Sequence, residues 1–271
     1  YVNYTPLSLD PNSATFLIAD VATASLDTPA ANIPTWALLF SQLPAKPIDP
    51  ATGTGYHVAL AGYGGNGTGT SGTFSIDFRR RIAENTLGAL ASLDEFENFL
   101  FGGPPSTSNP QNLYWIDFDD PLRGQPGASP FDFNAWRDNA VPNEGSTAGG
   151  DSGGPLILDR EFAKQVIIGV LSGGYTRFFG GQPANGYGTT KFYQPLYLYW
   201  DYIVANNPYH YVGSVAGSRN WEDPTHWVTQ LDPAYQIIVN GQLVNGLPTT
   251  PGAGNTEQPG FGQACFEQGS F

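Results

Sequence analysis

The sequence predicts an all-β protein, built from short antiparallel strands joined by turns. Its 271 residues include 34 glycines and 23 prolines, which interrupt the chain too often for long helices. Short apolar runs such as 57–62 and 165–171 lie between these turn signals and indicate buried strands. Hydrophobic residues make up 40% of the chain, enough to form a core, which excludes a disordered protein.

The charge balance excludes one class of partner. Only 13% of the residues are charged and the net charge is −13, which argues against nucleic-acid binding because that depends on Lys and Arg. No apolar run approaches the roughly 20 residues of a transmembrane helix. Cys265 is the only cysteine, so no intrachain disulfide forms. Tyr1 follows neither Met nor a signal peptide, and we interpret the chain as part of a longer precursor.

Two segments have helical composition. Residues 82–100 are rich in Ala, Glu and Leu, and residues 192–205 place apolar side chains at helical spacing. The stretch between them at 101–148 is dense in Pro, Gly, Asn and Asp and predicts loops. The glycine-rich stretch 62–78 matches a dinucleotide-binding spacing, but no helix follows it, so we interpret it as a hairpin.

The amino-acid composition of the sequence changes near Asn206. Beyond that point the chain is polar and turn-rich, with isolated apolar runs such as 235–239. We therefore assign residues 1–205 to one domain and residues 206–271 to a β-rich C-terminal appendage.

The most informative segment is Gly150-Asp151-Ser152-Gly153-Gly154-Pro155, which an apolar run follows. Acyl transfer at an amide requires a nucleophile and N–H donors aimed at the developing oxyanion. The glycines permit backbone angles at which the N–H groups of Gly150 and Ser152 point to one spot. The same residue types also form ordinary turns. Six consecutive matches favour Ser152 as a nucleophile, with Gly150 and Ser152 forming the oxyanion hole.

This segment resembles the nucleophile region of trypsin/chymotrypsin-like serine proteases, which use a Ser-His-Asp triad. Residues 18–22 resemble the family's aspartate segment, which implies that Asp20 is the triad aspartate. Residues 170–174 resemble the strand that pairs with substrate. The resemblance covers roughly residues 15–205. It implies two six-stranded antiparallel β-barrels of the chymotrypsin type, the first incomplete in this chain, followed by a C-terminal helix and the appendage.

The triad histidine is not at its expected place. The family's order is His, then Asp, then Ser, yet the 19 residues before Asp20 contain no histidine. His57 falls in a predicted strand, and His210 and His226 fall in the appendage. The resemblance therefore implies that the histidine lies on a missing or separately cleaved N-terminal segment. Three explanations stay open: a nicked two-chain protease, a truncated sequence, and a pseudoprotease.

A few residues predict which substrates the protein would cleave. In relatives the residue six before the nucleophile lines the floor of the primary specificity pocket, and here it is Ser146, which is uncharged. Ser172, Gly173 and Gly174 would form a wall of this pocket. Together they predict cleavage after apolar residues.

The histidines and the cysteine lack the close spacing of a zinc site, so we expect no metal and no cofactor.

The appendage carries a second resemblance. Residues 220–227 contain two tryptophans, and Gly246-Leu247-Pro248 follows them. This is similar to the start of β-solenoid passengers in bacterial autotransporters, although a small appendage with buried tryptophans explains the pattern equally well.

The sequence predicts a secreted or surface-exposed serine endopeptidase. Its expected partners are protein or peptide substrates and an N-terminal chain of the same precursor. The alternative is a non-catalytic surface binding module or adhesin.

Overall fold

The computed structural model describes residues 19–28, 30–46, 55–102, 109, 111–209, 211–228 and 232–248, and it is mostly β with few helices. The strands are β1 (Leu38–Leu39), β2 (Tyr56–Gly62), β3 (Gly65–Thr68), β4 (Gly72–Ile76), β5 (Arg81–Leu87), β6 (Ala89–Ser92), β7 (Asn112–Asp117), β8 (Pro155–Leu158), β9 (Val166–Tyr175), β10 (Thr190–Pro195), β11 (Gly213–Ser214), β12 (Trp227–Val228), β13 (Tyr235–Val239) and β14 (Gln242–Asn245). The α-helices are α1 (Leu93–Phe101) and α2 (Trp200–Ala205), and 3₁₀ turns occupy Leu196–Leu198 and Pro224–His226.

The chain folds into two compact units. The first contains the described residues up to Val21 and those of 44–195, and the second contains residues 22–43 and the described residues from Leu196 onward. This grouping differs from the predicted boundary between residues 205 and 206. Residues 22–43 and the C-terminal helix α2 both group with the second unit.

The first unit is built on one antiparallel sheet with the strand order β6-β7-β10-β9-β8-β2-β5. The sheet curls into a half-barrel, so that β5 at one edge returns toward β7. Asn85 on β5 donates from Nδ2 to the backbone carbonyl of Asp117 on β7 at 2.7 Å. The core of the first unit contains the fully buried side chains of Val58, Trp115 and Leu156. The all-β prediction is confirmed.

The helix predicted over 82–100 is wrong for its first half. Residues 81–87 instead pair with β2 in a register that runs from Tyr56↔Leu87 to Gly62↔Arg81. Helix α1 begins only at Leu93, where the Ser92 side chain accepts from the Glu95 N–H and the Glu95 carboxylate accepts from the Ser92 N–H. This capping box fixes the helix start. Pairing with a distant strand overrides the helical propensity before it.

Two other local predictions need correction. Residues 192–195 belong to β10, which is buried along its whole length because it pairs with both β9 and β7. The helix predicted over 192–205 is therefore confined to α2. The predicted loop at 101–148 contains strand β7, whose burial pattern is almost entirely core. The glycine-rich hairpin is confirmed as β3 and β4.

The second unit has its own small sheet. Strand β13, predicted from the run 235–239, pairs antiparallel with β14 and parallel with β1. The rings of Phe40 and Tyr235 pack beside it with centroids 5.1 Å apart. Trp221 meets Trp227 edge-on at 4.5 Å and is 59% exposed, so the prediction of buried tryptophans is wrong for Trp221. No helix among the described residues has the length and hydropathy needed to cross a membrane.

Candidate active site

The turn that carries Ser152 is tied to strand β9. The N–H of Gly153 donates to the carbonyl of Leu171 at 2.8 Å, and the N–H of Leu171 donates to the carbonyl of Gly154 at 2.9 Å. Ser152 itself is exposed at the tip of this turn. Its position is therefore fixed by backbone contacts on one side while its side chain faces solvent.

The backbone of the turn leaves two N–H groups free. Gly150 and Gly153 have φ values of +98° and +79°, a region that favours glycine. The N–H of Asp151 donates to Ala148, and the N–H of Gly154 donates to Asp151. Across the described part of the chain, the N–H groups of Gly150 and Ser152 have no hydrogen-bond partner. These two donors are available to an oxygen atom of a ligand.

The side chain of Asp151 points into the protein and forms hydrogen bonds with backbone N–H groups on the inner side of the turn. Its Oδ1 accepts from the N–H of Gly64 at 2.6 Å, and its Oδ2 accepts from the N–H of Ala148 at 2.9 Å. A Cβ at Gly62 would lie 2.0 Å from Asp151 Oδ1, and one at Gly64 would lie 2.6 Å away. Glycine at the end of β2 therefore makes room for this carboxylate.

Asp20 reaches the same neighbourhood through Ser172. The Oγ of Ser172 donates to Asp20 Oδ2 at 2.8 Å. Ser172 follows Leu171, the residue that holds the Ser152 turn. Consecutive residues of β9 thus contact the predicted nucleophile turn and the predicted aspartate, which are 132 positions apart in the sequence.

The predicted pocket residues lie on two elements. Ser172, Gly173 and Gly174 are all on β9, where Gly173 pairs with Phe192 of β10. Ser146 lines a small cavity of about 60 Å³ beside Asp151, and its buried Oγ has no partner among the described residues. The Oγ of Ser146 therefore bonds to none of the three β9 residues, and a shared pocket stays a prediction.

His57, the one histidine among the described residues of the first unit, is bonded to residues other than Asp20 and Ser152. His57 lies between Asp159, which bonds its Nδ1, and Glu84, whose Oε2 is 3.3 Å from its Nε2. It stands at the opposite end of β2 from Gly62, about 17 Å away along an extended strand. His226 belongs to the second unit, where its ring packs on Trp227 at 5.2 Å. His210 lies outside the described residues.

Lys191 is a charged residue beside this segment that sequence reasoning missed. It is 4% exposed, and its Nζ donates to Asn185 Oδ1 at 2.6 Å. It lies opposite Gly174 in the β9–β10 register. A lysine directly before the mostly apolar and aromatic residues 192–200 was the signal that could have drawn attention to it.

A cluster of buried acids occupies another part of the first unit. Carboxylate atoms of Asp117, Asp119 and Asp138 lie within 4.8 Å of one another, a spacing that could hold a metal ion. Burial raises the pKa of Asp119 to about 6 and that of Asp138 to about 7, and it raises the pKa of Asp117 well above its usual range. Arg123 pairs with Asp119, so one of these charges already has a protein partner.

Glu144 joins the same cluster. Its carboxylate accepts from the N–H groups of Asp119 and Val141, at 2.6 and 2.8 Å. Burial nevertheless raises the pKa of Glu144 to about 8. The hydrogen bonds of Glu144 and the ion pair of Asp119 are made with residues outside 150–154.

No protein-family model matches the chain, and no curated protein matches it either. The function of the site therefore has to be judged from its own geometry.

Proposed function

We propose that this protein is a serine endopeptidase in which Ser152 forms an acyl-enzyme. The single observation that carries the proposal is the Ser172–Asp20 hydrogen bond of 2.8 Å, one residue from Leu171, which fixes the Ser152 turn. This bond holds the Asp20 carboxylate on the strand residue next to the one that fixes the turn of the exposed serine, and a triad needs such a carboxylate to orient the histidine that acts on the serine. We further propose that the curled sheet of the first unit corresponds to one of two chymotrypsin-type barrels.

In the proposed reaction, Ser152 Oγ attacks the carbonyl carbon of the scissile amide while a histidine accepts the hydroxyl proton. Asp20 orients that histidine. The free N–H groups of Gly150 and Ser152 donate to the oxyanion of the tetrahedral intermediate. The histidine then protonates the leaving amine, and the C–N bond breaks. Water attacks the acyl-enzyme by the same route and releases the new carboxylate and free Ser152.

The histidine is the missing participant. His57, the histidine among the described residues of the first unit, is about 17 Å along β2 from the end that meets Asp151. We propose that the histidine comes from a polypeptide segment outside these 271 residues, consistent with a two-chain protease made from one precursor. Mass spectrometry of the native material would then detect a second, histidine-bearing polypeptide.

Covalent labelling by a fluorophosphonate tests the proposal, because only an activated serine reacts quickly with it. Native protein is expected to give one adduct on Ser152, and the S152A variant none. Ser218, an exposed serine of the second unit, supplies the matched control, since S218A should label like the wild type. Absence of labelling with the histidine-bearing polypeptide present would favour the rival function, a non-catalytic binding module on the cell surface.

A further inference from the structure

Lys191 stands on the strand opposite the predicted pocket wall. It belongs to β10 and pairs with Gly174 of β9 in an antiparallel register. Directly opposed residues of an antiparallel pair project on the same face of the sheet. Lys191 therefore lies on the face of the β9–β10 pair that carries Gly174.

Gly174 leaves room for the lysine stem. A Cβ at position 174 would lie 2.5 Å from Lys191 Cδ, so any larger residue there would force the lysine to move. Gly174 is two residues beyond Ser172, whose Oγ contacts Asp20. The stem of Lys191 thus runs beside the segment that reaches the proposed catalytic aspartate.

The ammonium group of Lys191 has little to neutralise it. Its Nζ donates to Asn185 Oδ1 at 2.6 Å, although an ammonium has three N–H donors. Among the described residues, no carboxylate lies within 4 Å of Nζ. The charge of Asp151 acts on it from a greater distance. Both oxygens of Asp151 are already hydrogen-bonded to backbone N–H groups.

Asn185 holds the ammonium in place. It lies at φ +58°, and its Nδ2 donates to Thr73 Oγ1 at 2.9 Å, so its Oδ1 has a fixed direction. A buried charge without a counter-ion is costly, and proteins normally pair it or neutralise it. A fixed, buried and unpaired cation next to a substrate-binding strand is suited to an anionic ligand group.

We propose that Lys191 binds the side-chain carboxylate of the residue preceding the scissile bond, so that the enzyme cleaves after Glu or Asp. This inference rests on the proposed function, because it places Lys191 in the specificity pocket of the same site. It replaces the apolar preference that Ser146 indicated. An uncharged Ser146 supplies no anion to Lys191, whereas an acidic substrate side chain does.

Binding of product-type peptides tests the proposal without requiring catalysis. Calorimetry at pH 7 would compare tetrapeptides that end in Glu, Gln or Leu, titrated into the 271-residue protein. The Glu peptide is expected to bind at least about tenfold more tightly than the Gln peptide, because its hydrogen bonds to an ammonium are charge-assisted. Equal affinity for the Glu and Gln peptides, or a preference for Leu, would overturn it.

Three variants assign the effect to Lys191. Lys191→Met should abolish the Glu preference, whereas Lys191→Arg keeps the positive charge and should retain it. Lys164 is exposed, so Lys164→Met is the matched control and should behave as wild type. If circular dichroism shows that Lys191→Met does not fold, the wild-type and Lys191→Arg affinities still decide the outcome.

Fluorophosphonate labelling separates this inference from the proposed function. Labelling of Ser152 without a Glu preference overturns the assignment of Lys191 and leaves the serine protease in place. A Glu preference together with no labelling of Ser152, measured with the histidine-bearing polypeptide present, overturns the serine protease, and it supports Lys191 as a site for carboxylate groups.

Discussion

Ser172 Oγ donates a 2.8 Å hydrogen bond to Asp20 Oδ2, joining two residues that are 152 positions apart. Because Leu171 holds the Ser152 turn, this one contact links the proposed nucleophile and the proposed aspartate through two adjacent residues of β9. The expected effects of substitution follow from this arrangement.

Replacing Asp20 by Asn should abolish the proposed endopeptidase activity without unfolding the protein. The amide keeps an oxygen that accepts from Ser172, but it cannot stabilise a protonated histidine. We expect kcat of the native protease to fall by about 10³–10⁴-fold, measured by peptide hydrolysis. Asp27→Asn changes an exposed carboxylate and serves as the control. An Asp20→Asn protein with wild-type kcat would remove Asp20 from the proposed triad.

Replacing Gly150 by Ala should disturb the proposed oxyanion hole. Gly150 has φ +98°, and an added Cβ would approach Gly64 Cα to 3.1 Å. Strain of this kind costs roughly 1–3 kcal/mol. Loss of one oxyanion donor lowers kcat by about 10²–10³-fold.

Gly149→Ala is the matched control for this substitution, because a Cβ at Gly149 meets nothing within 4 Å. Fluorophosphonate labelling rates would compare the two variants. Similar rates for both would argue against a special role for the Gly150 N–H.

Replacing Asp151 by Ala should destabilise the fold. It would leave the N–H groups of Gly64 and Ala148 without their acceptor. Losing two hydrogen bonds to a charged group costs about 3–6 kcal/mol, which urea denaturation would detect. Asp77→Ala removes an exposed carboxylate that pairs with Arg81 and should cost much less. Equal losses would show that the Asp151 contacts contribute nothing special.

The buried acids make stability fall as pH rises. Burial raises the folded-state pKa of Asp138 to about 7 and that of Glu144 to about 8, so the folded protein binds more protons than the unfolded chain above about pH 4. The free energy of unfolding then decreases with rising pH, by up to about 1.4 kcal/mol per pH unit for each such group, until pH exceeds the folded pKa.

Asp138→Asn should flatten this dependence between about pH 4 and pH 7 and raise stability at pH 7. Its amide keeps the shape of a protonated carboxyl beside Asp117. Thermal unfolding across this pH range measures the effect, and exposed Asp27→Asn is the comparison. A wild-type protein that grows more stable from pH 5 to pH 8 would contradict the prediction.

The affinity for Glu peptides should also depend on pH. Burial lowers the pKa of Lys191 to about 8, while the charge of Asp151 partly opposes this shift. The ammonium loses its proton as pH rises through that value, so the ratio of Glu to Gln peptide affinity should decline from pH 7 to pH 9. Calorimetry at both pH values measures the ratio. A constant ratio would show that another cation binds the carboxylate.

The sequence was most informative for features that are formed by residues next to one another in the chain. The Ser152 turn is recognisable because six neighbouring residues satisfy its glycine and donor requirements together. Hairpin β3–β4 was also predictable from its own glycines. In contrast, residues 81–92 have helical composition and form strands, because their partners in β2 and β7 come from elsewhere in the chain.

Residues whose environment is made by distant partners could not be predicted. Lys191 is buried and lies opposite Gly174, and no local pattern shows that its charge lies beside a strand near Asp20. The raised pKa of Glu144 likewise requires burial and the nearby charges of Asp119 and Asp138, which the fold brings together.

Intact-protein mass spectrometry of a trapped acyl-enzyme tests the central claim most directly. Native protease mixed with an activated ester and quenched in acid should gain the mass of one acyl group, and peptide mapping should place that group on Ser152. The S152A variant should gain none. An acyl group on another residue, or turnover of the ester by S152A at the wild-type rate, would contradict the assignment of Ser152 as the nucleophile.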